Sequence, residues 1–413
     1  MTDQIKPLHL FEGYGVELEY MIVRRTDLQV LPITDKLIYD AVGAYLSDVS
    51  FGDIAWSNEL VLHVVEMKTD GPAKSLHALA GAFQRHVRKI NGMLEKYDAM
   101  LLPTGAHPLM DPYTDTRIWP HEYNAVYDAY NRIFDCRGHG WANLQSTHLN
   151  LPFANDDEFG RLHAAIRVLL PLIPALSASS PILDGKVTGF QDTRLEVYRH
   201  NQDKIPSIAG KVIPEAVFTQ KNYEDSILKR IYIDVAAYDN EGILQDEFLN
   251  SRGAIARFSR NTIEIRLIDI QECPAADLAV LQAVVGVLKA LVRGQWVATD
   301  HLKVFGEDLL AEVLLRVIRD GQEATLQDPG YLACFGLQGS GPKTAGEVWR
   351  HLITSTVTSG SDPELDATLH TLTTQGNLAT RILAATGPHP TEERIREVYR
   401  RLAVCLQEGK IFL

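Results

Sequence analysis

The chain has 413 residues, 46% of them hydrophobic and 23% charged, with Lys plus Arg totalling 40 against 53 for Asp plus Glu and a formal charge of -13. This composition supports a large buried core and excludes a disordered or fibrous protein, and the negative balance repels phosphate backbones and anionic membranes, so nucleic acid and membrane are not expected partners. Cys136, Cys273, Cys334 and Cys405 are scattered without CxxC spacing, and the longest apolar stretches are broken by Arg167, Pro171, Pro174 or Lys289, as expected of a soluble, cytoplasmic protein without structural zinc.

Residues 14–23, YGVELEYMIV, alternate so that Glu17 and Glu19 project from one face of a strand and Val16, Leu18 and Tyr20 from the other. Residues 58–69, NELVLHVVEMKT, have the β-branched content of a second strand. Helix-like stretches follow at roughly 73–97 and 121–134. A third strand, LQSTHLNLPF, places Ser146, His148 and Asn150 on one side, and a fourth, NTIEIRLIDIQ, points Glu264 and Arg266 one way and Ile263, Ile265 and Leu267 the other. From about residue 275 the period becomes helical, first in AADLAVLQAVVGVLKALVRGQW and finally in TEERIREVYRRLAVCLQ. Strands early and helices late predict an α+β fold, an antiparallel sheet with helices packed against it. A sheet-rich part is expected over 1–274, with a helical part, 275–413, on the same domain. Loops rich in Gly, Pro and Ser fall near 103–117, 177–189, 327–343 and 358–363.

Glu17, Glu19, Glu59, Glu66, His148 and Glu264 all lie in strand-like stretches. Burying that much negative charge costs several kcal/mol per unpaired ion, so a divalent metal site is the economical reading. Each piece has a plainer one: a solvated E-x-E face, a satisfied core histidine, a surface ion-pair ladder of Arg260, Glu264 and Arg266. Glu59 and Glu66 also raise a difficulty, because seven residues apart on an unbroken strand they face opposite sides. Sharing a cluster requires Glu59 to precede the strand, or a β-bulge. Arg194, after a Ser-Ser-Pro turn, and Arg266 are candidates to grip a carboxylate or a transferring phosphoryl group. The segment GLQGSGPKT at 336–344 nearly spells a phosphate-binding loop, but Pro342 displaces Lys343; the plainer expectation is a loop with Thr344 capping the next helix.

As an ordered set, GVELEY, NELVLHVVEMKT, TGAHP, NLQSTHLN, SSPILDGKVTGFQDTR and TIEIRLIDIQ resemble glutamate–cysteine ligase family 2, the carboxylate–amine ligases of the glutamine synthetase superfamily. The resemblance implies a curved, mainly antiparallel sheet forming a funnel that holds ATP and two or three Mg²⁺ ions, with Mn²⁺ as an alternative. It implies that Glu17, Glu19, Glu59, Glu66, His148 and Glu264 hold metal, that Arg194, Arg266 and Glu264 serve the chemistry, and that Asn150, Arg194, Arg260 and Arg266 bind substrate or nucleotide. The reaction would join a carboxylate, glutamate or a similar acid, to an amine such as cysteine or another amino acid through an acyl phosphate. A homodimer is compatible with it. His148-Leu149-Asn150 departs from the H-V-H-V string of many bacterial members, which leaves the amine open. Two other classes stay in view: a metal-dependent hydrolase using the same cluster without nucleotide, and a non-catalytic family member.

Overall fold

The computed structural model describes residues 7–339, 341–357 and 363–413. Its strands are β1 (Gly15–Arg24), β2 (Asp48–Ser50), β3 (Ile54–Asn58), β4 (Val64–Thr69), β5 (Ala99–Leu102), β6 (Ser146–Pro152), the short pair β7 (Ile182–Leu183) and β8 (Lys186–Val187), β9 (Ala254–Arg257), β10 (Thr262–Asp269) and a second short pair, β11 (Thr325–Leu326) and β12 (Lys343–Thr344). Eight of them form one open sheet in the order β2-β3-β4-β1-β6-β10-β9, with β5 also on β1, and every pairing in it is antiparallel. The α+β expectation holds, and the sheet does not close into a barrel.

The two faces of the sheet differ as the alternation in β1 requires. Val16, Leu18, Tyr20 and Ile22 join Val65, Met67, Leu149, Leu151, Ile263 and Ile265 in the main core. Helices Leu79–Leu94, Asp156–Leu169 and Pro274–Val292 cover that face. The first of these carries Leu79, Phe83, Val87, Ile90 and Leu94 along one stripe, which is why it lies flat on the sheet. Helix Pro274–Val292 is apolar nearly all round and opens with proline, whose missing N–H costs nothing at a helix start. By length and composition it and the stretch Asp156–Ser177 are each apolar enough to cross a membrane, yet both are buried inside the fold as core helices. Each Leu, Ile or Val withdrawn from water there contributes roughly 1.5–3 kcal/mol.

On the opposite face β1 changes character halfway along. Glu17 and Glu19 are followed, at the same parity, by Met21 and Val23. These two pack with Val64 and Leu102 against Leu378 and Ile382 of helix Leu378–Thr386 and Ile395, Val398, Tyr399 and Leu402 of helix Glu392–Glu408. The C-terminal helices therefore cover the same face that carries the carboxylates, at its far end.

Residues 58–69 are not one strand. β3 ends at Asn58, residues 59–63 form the link, and β4 begins at Val64, giving an antiparallel hairpin. Thr344 caps helix Ala345–Thr356 through a capping box, its Oγ1 accepting from Glu347 N at 3.1 Å while Thr344 N donates to Glu347 Oε2 at 2.8 Å. The neighbouring Gly-rich stretch is thus the lead-in to an ordinary capped helix, although residue 340 lies outside the described residues. So do residues 358–362 of the last expected loop.

Candidate active site

Register in the sheet brings the acidic residues together. Glu17 stands opposite His148 on β6, and Glu19 opposite Glu66 on β4. Glu17 takes two contacts from β6, His148 Nδ1 at 2.7 Å and Asn150 Nδ2 at 3.1 Å. Glu19 Oε2 accepts from Ser146 N at 2.7 Å and Ser146 Oγ at 2.9 Å, and Ser57 Oγ donates to Glu66 Oε1 at 2.5 Å. Glu59 is the first residue of the link past β3, so the parity conflict with Glu66 disappears: the chain turns between the two. One ligand atom each from Glu17, Glu66 and His148 lie within 4.8 Å of one another, and so do atoms from Glu19, Glu59 and Glu66, with Glu66 common to both groups.

Glu264 lies beside them on β10, its Oε1 3.9 Å from His148 Nδ1. It accepts from Arg257 Nε at 3.1 Å and lies 3.5 Å from Arg266 Nε. The ladder foreseen with Arg260 is therefore made by Arg257 instead, and it is buried at Glu264 rather than superficial. Arg260 sits exposed in the turn between β9 and β10 and lines a cavity of about 720 Å³ together with Glu17, Lys68, Asn150 and Thr262. That volume is within the roughly 300–1,000 Å³ usual for small-molecule sites.

The electrostatics of the cluster are those of crowded, dehydrated anions. Burial, then the charge of Glu17, pushes Glu66 up to about 7, with Lys68 at 3.4 Å opposing. Glu59 is pushed well above the carboxylate range by burial and by Glu19 and Glu66. Burial works the same way on Glu17, but the hydrogen bond and charge of His148 outweigh it and hold Glu17 down at about 2. His148 is raised in turn, since Glu17 and Glu19 overcome the burial that would discharge it. Without another cation, part of this cluster keeps protons at neutral pH. Carboxylate oxygens with one imidazole, close together and short of positive charge, are a donor set that suits Mg²⁺ or Mn²⁺.

Arg194 is near these groups but does not touch them. It lies in the first turn of helix Thr193–Tyr198, capped by Asp192, which accepts from Leu195 N at 2.8 Å. Its Nε donates to Asp269 Oδ1. Asp269 escaped the sequence reading because it is five residues beyond Glu264 and should face the other way. A register shift between Ile265 and Ile268 turns it back, so that it pairs with Ser146 on the carboxylate face. Arg257 was missed because its β9 strand is short and carries no alternating pattern. Lys68 was missed although it is two residues beyond Glu66 and shares its face, a signal that could have found it.

The sequence matches the family model described as glutamate–cysteine ligase family 2 over residues 14–401. An uncharacterised protein of Archaeoglobus fulgidus is 36% identical over 312 residues, 75% of this chain and 80% of that protein. A protein of Bradyrhizobium sp. (strain ORS 278), provisionally named glutamate–cysteine ligase 2, is 26% identical over 286 residues; the match covers 68% of this chain and 61% of that protein's length. Among solved structures, glutamate–cysteine ligase from Francisella tularensis in complex with AMP has a similar fold, with a TM-score of 0.61 at 13% identity over 95% of this chain and 88% of that one. With a family match spanning nearly its whole length, this chain belongs to glutamate–cysteine ligase family 2.

Proposed function

We propose that the protein is an ATP-dependent carboxylate–amine ligase that forms a γ-glutamyl-type amide bond. The observation that carries this reading is the pair of acidic groups sharing Glu66, buried beside Arg257 and Arg266 and opening on the cavity at Glu17. Glu17, Glu66 and His148 would hold one divalent ion and Glu19, Glu59 and Glu66 a second, with Glu264 adjoining the first. Such ions, when bound, neutralise the phosphate oxygens of a nucleotide and make its terminal phosphoryl group transferable.

The chain's own residues then do the rest. The cavity at the mouth, with Lys68, Asn150 and Arg260 on its wall, receives the nucleotide. Arg266, whose positive charge is reinforced by Tyr198, Glu264 and Glu19 against the effect of burial, offers a fixed counter-charge to the migrating phosphoryl group. The substrate carboxylate takes that phosphoryl group, the bond to the nucleotide breaks with ADP leaving, and an acyl phosphate results. The amine attacks the acyl carbon, the C–O bond to phosphate breaks, and the proton lost from nitrogen leaves with the phosphate or to solvent. Helix Asn124–Phe134 closes over the Glu59 end, where Asn58 Nδ2 donates to Tyr127 OH at 3.2 Å, and keeps water from the intermediate. Glutamate is the favoured acid, cysteine or another amino acid the amine, and the cytoplasm the setting.

The test is ADP release from ATP and Mg²⁺ with glutamate against a panel of amines. Release that requires both the acid and an amine supports the reading, and a protein that releases none with any pair removes it. Glu264→Gln should abolish release without disturbing the far-ultraviolet circular dichroism spectrum.

A further inference from the structure

Asp269 is wholly buried, yet it is not isolated. Ser179 N and Ser180 Oγ each donate to its Oδ2 at 2.8 Å, and Arg194 Nε donates to Oδ1. Ser180 Oγ also accepts from Arg194 N at 3.0 Å, so one serine grips both partners. On the other side stands Gly105, where an added Cβ would come within 2.4 Å of the Asp269 carboxyl carbon; a side chain there and the carboxylate cannot share the space. Three segments far apart in sequence, TGAHP, SSP and the end of β10, thus converge on one carboxylate.

What this arrangement leaves over is informative. Arg194 is 2% exposed, and its Nη2 is enclosed without a partner among the described residues. An enclosed, unpaired guanidinium N–H is costly and calls for a partner; Arg381 Nη2 and Arg167 Nη1 share that state, and what sets Arg194 apart is its place beside the carboxylate face. The position fits. Asp269 pairs across the ladder with Ser146, the residue that holds Glu19, and Ser146 is four residues, about 13 Å, along β6 from Asn150 at the mouth. Arg194 therefore lies at the Ser146 end of the carboxylate face, beyond Glu19 and away from the mouth.

Resting on the ligase reading, we infer that Asp269 is a positioning residue: held by Ser179 and Ser180 in a space that only glycine at 105 leaves open, it clamps Arg194 through Nε so that the free edge of the guanidinium is fixed for an anionic group of the substrate. Asp269 touches no substrate and acts through Arg194.

A double-mutant cycle tests this. Asp269→Asn and Arg194→Gln should each lower kcat/KM for the carboxylate substrate by about 100-fold, as expected when a binding group is misplaced by about 1 Å. The double variant should be no worse than Arg194→Gln alone, and its thermal stability should exceed that of Asp269→Asn, because no buried guanidinium is left uncompensated. Losses that multiply, or an Asp269→Asn protein with unchanged kcat/KM, would overturn the inference. Should Asp269→Asn not fold, Ser180→Ala takes its place, with a loss expected in the native background and none in the Arg194→Gln background; an equal loss in both backgrounds overturns it. A crystal structure of Asp269→Asn, or of Ser180→Ala in its place, separates this from the ligase reading. A displaced Arg194 guanidinium supports the clamp even in a protein that releases no ADP, and an unmoved one refutes it even in an active enzyme.

Discussion

Two sets of buried acids lie a short distance apart in this molecule and are treated oppositely. Asp269 and Glu272, both fully buried, each have an arginine: Arg194 Nε on Asp269, and Arg381 Nη1 at 2.5 Å from Glu272 Oε1. Glu19, Glu59 and Glu66 have mostly one another, with Lys68 at 3.4 Å from Glu66 as a nearby cation. Asp277, equally buried, has Thr147 and a backbone N–H in place of a cation and is pushed up to about 8 by burial, so an opposite charge is one of two ways in which the fold keeps a lone carboxylate inside. What sets Glu19, Glu59 and Glu66 apart is that three carboxylates crowd one place with a deficit of positive charge, an arrangement expensive to leave unneutralised and one that a cation from solution would relieve.

The contrast breaks most visibly on substitution. Glu66 belongs to both acidic groups, so Glu66→Gln should lower ADP release by at least about 100-fold, on the scale of losing one preorganised electrostatic contact, while leaving the thermal midpoint unchanged or higher because a repulsive charge is gone. A variant that unfolds earlier than the native protein would contradict the deficit. Glu272→Gln should do the reverse: stranding Arg381 costs about 3–5 kcal/mol in urea unfolding, and any residual activity loss should track the unfolded fraction. Arg381 also donates to Phe412 O, so the same change should loosen the last residues, readable as faster amide exchange there.

The deficit also predicts how metal and protons compete. Glu66, raised to about 7, is protonated below that pH and must release its proton to act as a ligand. Stabilisation by Mg²⁺, followed as the rise in melting temperature at fixed concentration, should therefore grow as pH increases from about 6 to 8, with protons released on binding. In Glu66→Gln this dependence should flatten. At the small end, Thr344→Ala removes an exposed helix cap and should cost about 1 kcal/mol with no effect on metal response or turnover, a control for stability loss remote from the basin.

How far the site was legible in the sequence depended on where strands stay regular. Glu17 with Glu19, and His148 with Asn150, sit on unbroken stretches whose two-residue alternation states their common face outright. Glu264 and Arg266 follow the same rule. The harder cases were those of parity. Glu59 and Glu66 conflict only if residues 58–69 form one strand, and the alternative offered for them, Glu59 ahead of the strand, is the one the hairpin realises. Asp269 drew no notice because in a regular strand it would face away from Glu264, and the slip between Ile265 and Ile268 leaves no mark in composition. Pairing across strands decides such cases, and pairing is a long-range property that no local pattern carries. The metal-rich reading of the six residues came from resemblance and charge together; Arg257 and the clamp around Asp269 needed coordinates.

Placing helix Glu392–Glu408 on the same face as Glu17 and Glu19 has a consequence for biosynthesis. The first strand leaves the ribosome nearly four hundred residues before the helix that covers its second half, and until then Met21 and Val23 face water. That half of the face is completed last, so the apolar end of the first strand stays uncovered through most of elongation and needs shelter from self-association until the C-terminal helices dock.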